Sequence, residues 1–235
     1  MQPEGFAILY EEGPCLAVGK PAGLLTQAPP HIDSLEQRLR QYLQQRDAKP
    51  GRIYLGVPHR LDRPVSGVLL FARHVRAARR LSDQFERRMV EKRYVAILDG
   101  DLDQDDGVWV DCIRKVPDQA QAEVLAPDDP DARLARLHYR VLHRGEGTTC
   151  VAIELETGRY HQIRVQAASR HHPVTGDAQY GSLRTFGPAC SDERKKCIAL
   201  HARSISFYHP MTHDPRTVVA PLPDYWGDLE LPQRG

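Results

Sequence analysis

No transmembrane helix is encoded: the longest uninterrupted apolar run is about six residues, Gly67 to Ala72, against the ~20 that a spanning helix needs. The N-terminus, Met1-Gln2-Pro3-Glu4-Gly5, has no basic stretch followed by an apolar core, so no signal peptide is expected and the cytoplasm is the expected compartment. Cys15, Cys112, Cys150, Cys190 and Cys197 are odd in number and scattered, with no Cys-x-x-Cys, and indicate neither a disulfide framework nor a zinc site. Glycine-rich phosphate loops of the P-loop or dinucleotide type are missing too, so no nucleotide cofactor is expected. An excess of one charge is also lacking, because 32 Lys and Arg meet 31 Asp and Glu for a net +1.

What the sequence has is an ordinary soluble composition, 41% hydrophobic and 27% charged, over 235 residues. A chain of that length fits one large domain or two small ones and buries roughly 70% of its unfolded surface without staples. The near-zero net charge hides segregation. Arg73 to Arg93 carries eight Lys/Arg against three acids, and Ala132 to Arg216 thirteen against seven. Between them, Asp99 to Asp131 holds eleven acids against Arg114 and Lys115. Such alternation suits either solvated faces or a cationic surface for a polyanion.

Phe6 to Tyr10 and Cys15 to Val18 predict two short strands, followed by a turn at Lys20-Pro21-Ala22-Gly23. Ser34 is a candidate N-cap for a helix whose Leu35, Leu39, Tyr42 and Leu43 fall on one face. Gly67 to Ala72 has the composition of a buried central strand. A second helix follows, with Val75, Ala78, Leu81, Phe85 and Met89 spaced for its apolar side and five arginines largely elsewhere. Tyr94 to Leu98, Val108 to Cys112, Leu137 to Leu142, Cys150 to Leu155 and Ile205 to Tyr208 read as strands, whereas periodicity does not separate strand from helix over His161 to Ser169. The proline-rich tail from Pro221 to Gly235 is expected to wrap or fray. This order predicts a mixed α+β architecture built on a large sheet.

The densest candidate site is His59-Arg60-Leu61-Asp62-Arg63-Pro64-Val65-Ser66-Gly67, a polar loop feeding the buried strand. Asp62, between two arginines, has the surroundings to stay ionised, and it equally suits a turn cap paired with one of them. His59 to Arg73 resembles the catalytic signature of the RluA-type pseudouridine synthases, in which His-Arg-Leu-Asp precedes a small Ser-Gly pair and an apolar strand. Further blocks agree in order. They are Lys20-Pro21-Ala22-Gly23-Leu24; Gln84-Phe85 with Arg88, Val90, Lys92 and Tyr94; Thr157 to Arg164; Gly176-Asp177 with Tyr180-Gly181; and Leu200-His201-Ala202 with Phe207, His209 and Pro210. The family usually has Thr where this chain has Val65 and Tyr160, departures that bear on substrate fit.

The resemblance implies a single catalytic domain over residues 1–235, with a motif-bearing core of about 8–222, a large mixed, mainly antiparallel sheet flanked by helices and loops, and no S4-like domain. It implies isomerisation of uridine in ribosomal or transfer RNA stem-loops by a monomer that needs no metal and no cofactor. Asp62 would be the essential carboxylate, nucleophile or base, and Arg164 its guanidinium partner. Tyr94 would stack on the extruded base and assist proton removal, Leu200 would line the apolar side of the pocket, and Arg60 would fill the vacated stack or meet phosphate. His59 is a substrate-binding candidate that suits a structural role as well. Two rivals stand beside this reading. A metal-dependent hydrolase is suggested by eleven histidines but lacks a ligand pattern, and a non-catalytic RNA-binding module would keep the same fold.

Overall fold

The computed structural model describes residues 3–48, 51, 53–227 and 229. Among them are ten strands and three α-helices. In chain order these are β1 (Ala7–Glu12), β2 (Cys15–Lys20), α1 (Leu35–Arg46), β3 (Ser66–Ala72), α2 (Val75–Glu86), β4 (Glu91–Asp99) and β5 (Asp106–Lys115). Then follow β6 (Ala122–Leu125), β7 (Arg133–Gly145), β8 (Thr148–Leu155), α3 (Gln162–Ala168), β9 (Leu200–Tyr208) and β10 (Pro215–Val219). The fold is α+β with mainly antiparallel pairing, and the chain divides into two compact units. Unit one comprises Met1–Glu91, Asp192–Lys195 and Ala202–Leu222; unit two comprises Lys92–Ser191, Lys196–His201 and Pro223–Gly235.

In unit one the strand order is β1-β2-β3-β9, with β10 on β9. Every residue of β3 is buried, as its unbroken apolar run requires of a central strand. Antiparallel register sets Lys20 opposite Gly67, so the turn after β2 lies beside the loop entering β3. α1 begins where expected: the Ser34 hydroxyl accepts from the Gln37 N–H, and Leu35, Leu39 and Leu43 are fully buried. Tyr42 is only half-buried, edge-on to Phe6. α2 differs from its expected stripe. Its buried residues are Ala77, Leu81 and Gln84, while Val75 is 49% exposed and Met89, beyond the helix end, is 41% exposed. The reason is that the helix stops at Glu86, with Arg88 in the left-handed region, and that Gln84 exchanges two hydrogen bonds with the Tyr208 backbone, each 2.8 Å. A polar side chain thus takes a core position because its amide completes the edge of β9.

Unit two has the order β4-β8-β7-β5-β6, antiparallel throughout. Its core includes Ile113, Ala122, Ala135 and Val165, with Tyr160 and Tyr180 packed against it. The undecided stretch 161–169 is helical over α3, and Gln162 to Ala167 are all buried. Its polar residues, Gln162, Arg164 and Gln166, are buried through hydrogen bonds rather than turned to solvent, so polarity marks no outer face of the helix and its period does not show. β6 and β10 were not anticipated. Burial pushes the Cys15 thiol up to about 12 and that of Cys150 to about 11, so neither is a thiolate at neutral pH. Of the tail, Trp226 is buried against Phe186 and His201, so this part wraps; residues 228 and 230–235 lie outside the described residues. No helix among the described residues is long and apolar enough to cross a membrane.

Candidate active site

In unit one the loop from 57 to 65 is pinned on both sides of Asp62. It enters from Gly56, which exchanges backbone hydrogen bonds with Ala72 at 2.8 and 2.9 Å. Leu61 N–H donates to the Thr26 hydroxyl, which donates back to the Leu61 carbonyl, at 3.1 and 2.9 Å. On the other side the Arg63 carbonyl accepts from Gly23 N–H at 2.8 Å and from the Lys20 ammonium at 3.1 Å. Lys20 is 2% exposed and also donates to the Pro21 and Leu24 carbonyls, each at 2.8 Å. A buried lysine is costly unless its donors are filled, and here it ties the Lys20-Pro21-Ala22-Gly23-Leu24 turn to the Asp62 loop. The half-buried Asp62 closes a tight turn, its carbonyl accepting from Val65 N–H at 3.1 Å.

His59 is built into this scaffold. Its Nε2 accepts from Leu70 N–H at 3.0 Å and its ring stacks on Phe85 at 4.5 Å. Arg60 is exposed.

Tyr94, Arg164 and Leu200 belong to unit two. Tyr94 is half-buried on β4 opposite Ile153, and Leu200 is 3% exposed at the start of β9. Arg164 projects from α3 and is 3% exposed. Its Nε and Nη2 donate to the two carboxylate oxygens of Asp177 at 2.6 and 2.8 Å, so the bidentate edge of the guanidinium is occupied by Asp177. Nη2 also donates to Gln179 Oε1 at 2.8 Å, Nη1 donates to His161 Nε2 at 3.0 Å, and the guanidinium lies 4.8 Å from the Tyr180 ring centre.

These contacts fix a tautomer. Arginine only donates, so His161 Nε2 is an acceptor and the imidazole proton sits on Nδ1, 2.9 Å from the Tyr180 hydroxyl. Burial and the adjacent Arg164 charge push the His161 pKa down to about 3, which keeps that acceptor unprotonated. His161 itself occupies the left-handed region at φ 51° as the N-cap of α3.

The approach to α3 is equally determined. Gln162 Oε1 accepts from the Thr157 hydroxyl and Arg159 N–H at 2.8 and 3.0 Å, closing the Thr157-Gly158-Arg159 turn. Asp99 accepts from the Thr175 and Ser182 hydroxyls, both at 2.7 Å, and so anchors the loop that presents Asp177. The motif reading assigned no role to His161, Asp177, Gln179 or Tyr180. The signal for three of them was present in the blocks at 157–164 and 176–181, but a spacing alone does not say which residue a buried arginine will meet. Two of the histidines that suggested a metal hydrolase make other contacts: His172 bonds the Asp99 carbonyl, and His209 holds its own turn and the Glu12 carbonyl.

Residues 15–169 match the RNA pseudouridylate synthase family. The chain belongs to that family, which makes it an RNA-modifying isomerase. Among similar proteins, tRNA pseudouridine synthase C of Pasteurella multocida (strain Pm70) is 35% identical over 94% of this chain and 93% of its own length. Dual-specificity RNA pseudouridine synthase RluA of Vibrio vulnificus (strain CMCP6) is 33% identical over 95% of this chain and 85% of its own. The solved structure of human RNA Pseudouridylate Synthase Domain Containing 4 has the same fold, with a TM-score of 0.74 and 22% identity over 93% of this chain and 89% of that one.

Proposed function

We propose that this protein converts a uridine in a transfer RNA stem-loop to pseudouridine, with Asp62 as the essential carboxylate and Tyr94 and Arg164 serving the same reaction. The observation that carries the reading is the match, over nearly the full length of both chains, to tRNA pseudouridine synthase C of Pasteurella multocida. The reaction breaks the N-glycosidic bond of the target uridine, turns the uracil, and rejoins it through C5, whose proton leaves as N1 gains one. No redox change occurs.

A carboxylate beside the anomeric carbon stabilises its developing positive charge, by bonding to it or by removing a sugar proton. The pinned backbone around Asp62 suits that task, since a catalytic group held by its neighbours needs no reorganisation when the substrate arrives. Arg164 supplies a fixed cation, and Asp177, Gln179 and His161 set its orientation. Tyr94 stacks on the extruded uracil, Leu200 lines its apolar side, and Arg60 meets RNA where the base has left the stack. His59 acts through the loop it braces. The protein works in the cytoplasm as a monomer.

The test is pseudouridine mapping of total RNA from cells with the gene deleted, complemented by the parent chain or by Asp62→Ala. A transfer RNA site that disappears on deletion and returns only with Asp62 present is the expected result. A site in ribosomal RNA would redirect the substrate. A map unchanged by deletion would leave a fold kept for RNA binding alone.

A further inference from the structure

Within unit two, one concave site of about 430 Å³ opens beside the Arg164 cluster. Ile113 and Tyr160 line it, and besides Arg114, cations from three separate segments line it too: Lys115, Arg133 and Arg159. Among the described residues, none of these three forms an ion pair with a carboxylate. Arg133 donates to the Pro130 and Ala132 carbonyls at 2.9 and 3.0 Å, and Arg159 to the Leu134 carbonyl at 3.0 Å, contacts that aim the guanidinium groups without neutralising them. The Lys115 ammonium lies 5.6 Å from the Tyr160 ring centre. One carboxylate, Asp131, also lines the site, and Arg114 holds it at 3.3 Å. The site therefore keeps a net positive charge, and its volume falls in the range of about 300–1,000 Å³ typical of small-ligand pockets.

Tyr160 connects the site to the guanidinium. The Tyr160 ring stacks on His161 at 3.9 Å and 16°, and His161 Nε2 accepts from Arg164 Nη1 at 3.0 Å. His161 stacks on the Tyr160 ring and the Lys115 ammonium lies over it at 5.6 Å, a distance wide enough for a base to enter between ammonium and ring, and an aromatic ring beside unneutralised Arg and Lys suits a single-stranded nucleotide: cations for the phosphate, an aromatic platform for the base. We infer that this pocket is a subsite for one nucleotide of the substrate RNA outside the isomerised uridine, with its phosphate on Lys115, Arg133 and Arg159 and its base against Tyr160. This rests on the reading of the protein as an RNA pseudouridine synthase and adds to it a residue, Tyr160, that sets which RNA is accepted.

The experiment uses the full chain in an Asp62→Ala background, so that binding is read without turnover, with an unmodified pool of transfer RNA transcripts as probe across a range of KCl. Arg133→Ala and Arg159→Ala should each weaken binding and lower the slope of log Kd against log salt by about 0.7–0.9, and Arg→Lys at either position should restore the slope. Tyr160→Ala should raise Kd about 5- to 150-fold, the range for loss of one stacked base, while Tyr160→Phe stays within about twofold of the parent. The three conservative variants separate lost contact from lost folding, because each keeps most of the side chain's packing. Unchanged Kd and slope in all the Ala variants, alongside normal RNA modification by the Asp62 chain, would overturn the subsite. Loss of affinity in those variants with no pseudouridine formed by the Asp62 chain would uphold the pocket and remove the catalytic reading instead.

Discussion

Arg164 carries a full charge at 3% exposure, which a protein tolerates only when the charge is paired and its donors are filled. Asp177, itself 2% exposed, provides that pairing, so neither residue is replaceable alone. Asp177→Ala should lower stability by about 3–5 kcal/mol in urea denaturation, because it removes the carboxylate that accepts from both Nε and Nη2 of a buried guanidinium. Activity should fall with it even where the variant remains folded, since the Nε–Nη2 edge then loses its bidentate acceptor and keeps only the Gln179 contact on Nη2. His161 makes a different prediction. Its pKa is about 3 in the folded chain against an ordinary 6.5, so the unfolded chain takes up a proton between those values that the folded chain refuses. The stability due to a neutral His161 is complete above 6.5 and is lost as pH falls toward 3, with a slope of up to about 1.4 kcal/mol per pH unit. Urea midpoints measured across this window should show a shallower dependence for His161→Gln, which does not titrate there. An equal slope in the two chains would mean that other groups dominate acid unfolding.

At the level of elements, the strand that follows the Asp62 loop depends on a glycine. Gly67 has φ +124°, and a Cβ there would meet the Ala202 carbonyl oxygen at 2.3 Å and its nitrogen at 2.5 Å, both rigid backbone atoms of β9. Gly67→Ala should therefore cost about 3 kcal/mol or more through strain and overpacking. Gly19→Ala, on the neighbouring strand at ordinary van der Waals distance from Ala7 and Leu9, should change the melting temperature little. The contrast also shows what pattern reading captures. α1 was legible because a cap residue and a leucine stripe coincide at Ser34, Leu35, Leu39 and Leu43; β3 was legible because its apolar run is short and unbroken. α3 was not, because burial of its polar residues through hydrogen bonds hides its period, and α2 misled because Gln84 is buried for its hydrogen bonds, not its hydrophobicity. β6 and β10 have four and five residues, too few for alternation to stand out. The same division holds for the site. The Asp62 loop announced itself as a dense polar motif, whereas the Arg164 cluster joins residues up to nineteen positions apart that only the fold assembles.

On the scale of the whole molecule, the expectation of one domain meets a chain that forms two compact units. We propose that the two units unfold together. Neither is a continuous segment: the chain passes from one to the other after Glu91, Ser191, Lys195, His201 and Leu222, and the fourth of these passages falls inside β9. A unit that needs three separated stretches of chain is not completed by local folding, and no linker of the kind that separates autonomous domains joins the two. The distribution of natural probes makes this testable without labels. Both tryptophans, Trp109 and Trp226, are buried in unit two, so tryptophan emission follows that unit. Helical ellipticity follows unit one, where α1 and α2 contribute twelve residues each against seven from α3 in unit two. If the chain is one cooperative domain, the emission and ellipticity curves in urea superimpose, with one midpoint and one slope. Two resolved midpoints would instead define two independently stable domains, and Gly67→Ala, whose strain lies wholly in unit one, would then shift the ellipticity curve and leave the emission curve in place. In a single domain the same substitution moves both curves by the same amount, because the free energy lost at Gly67 is shared by every residue that unfolds with it.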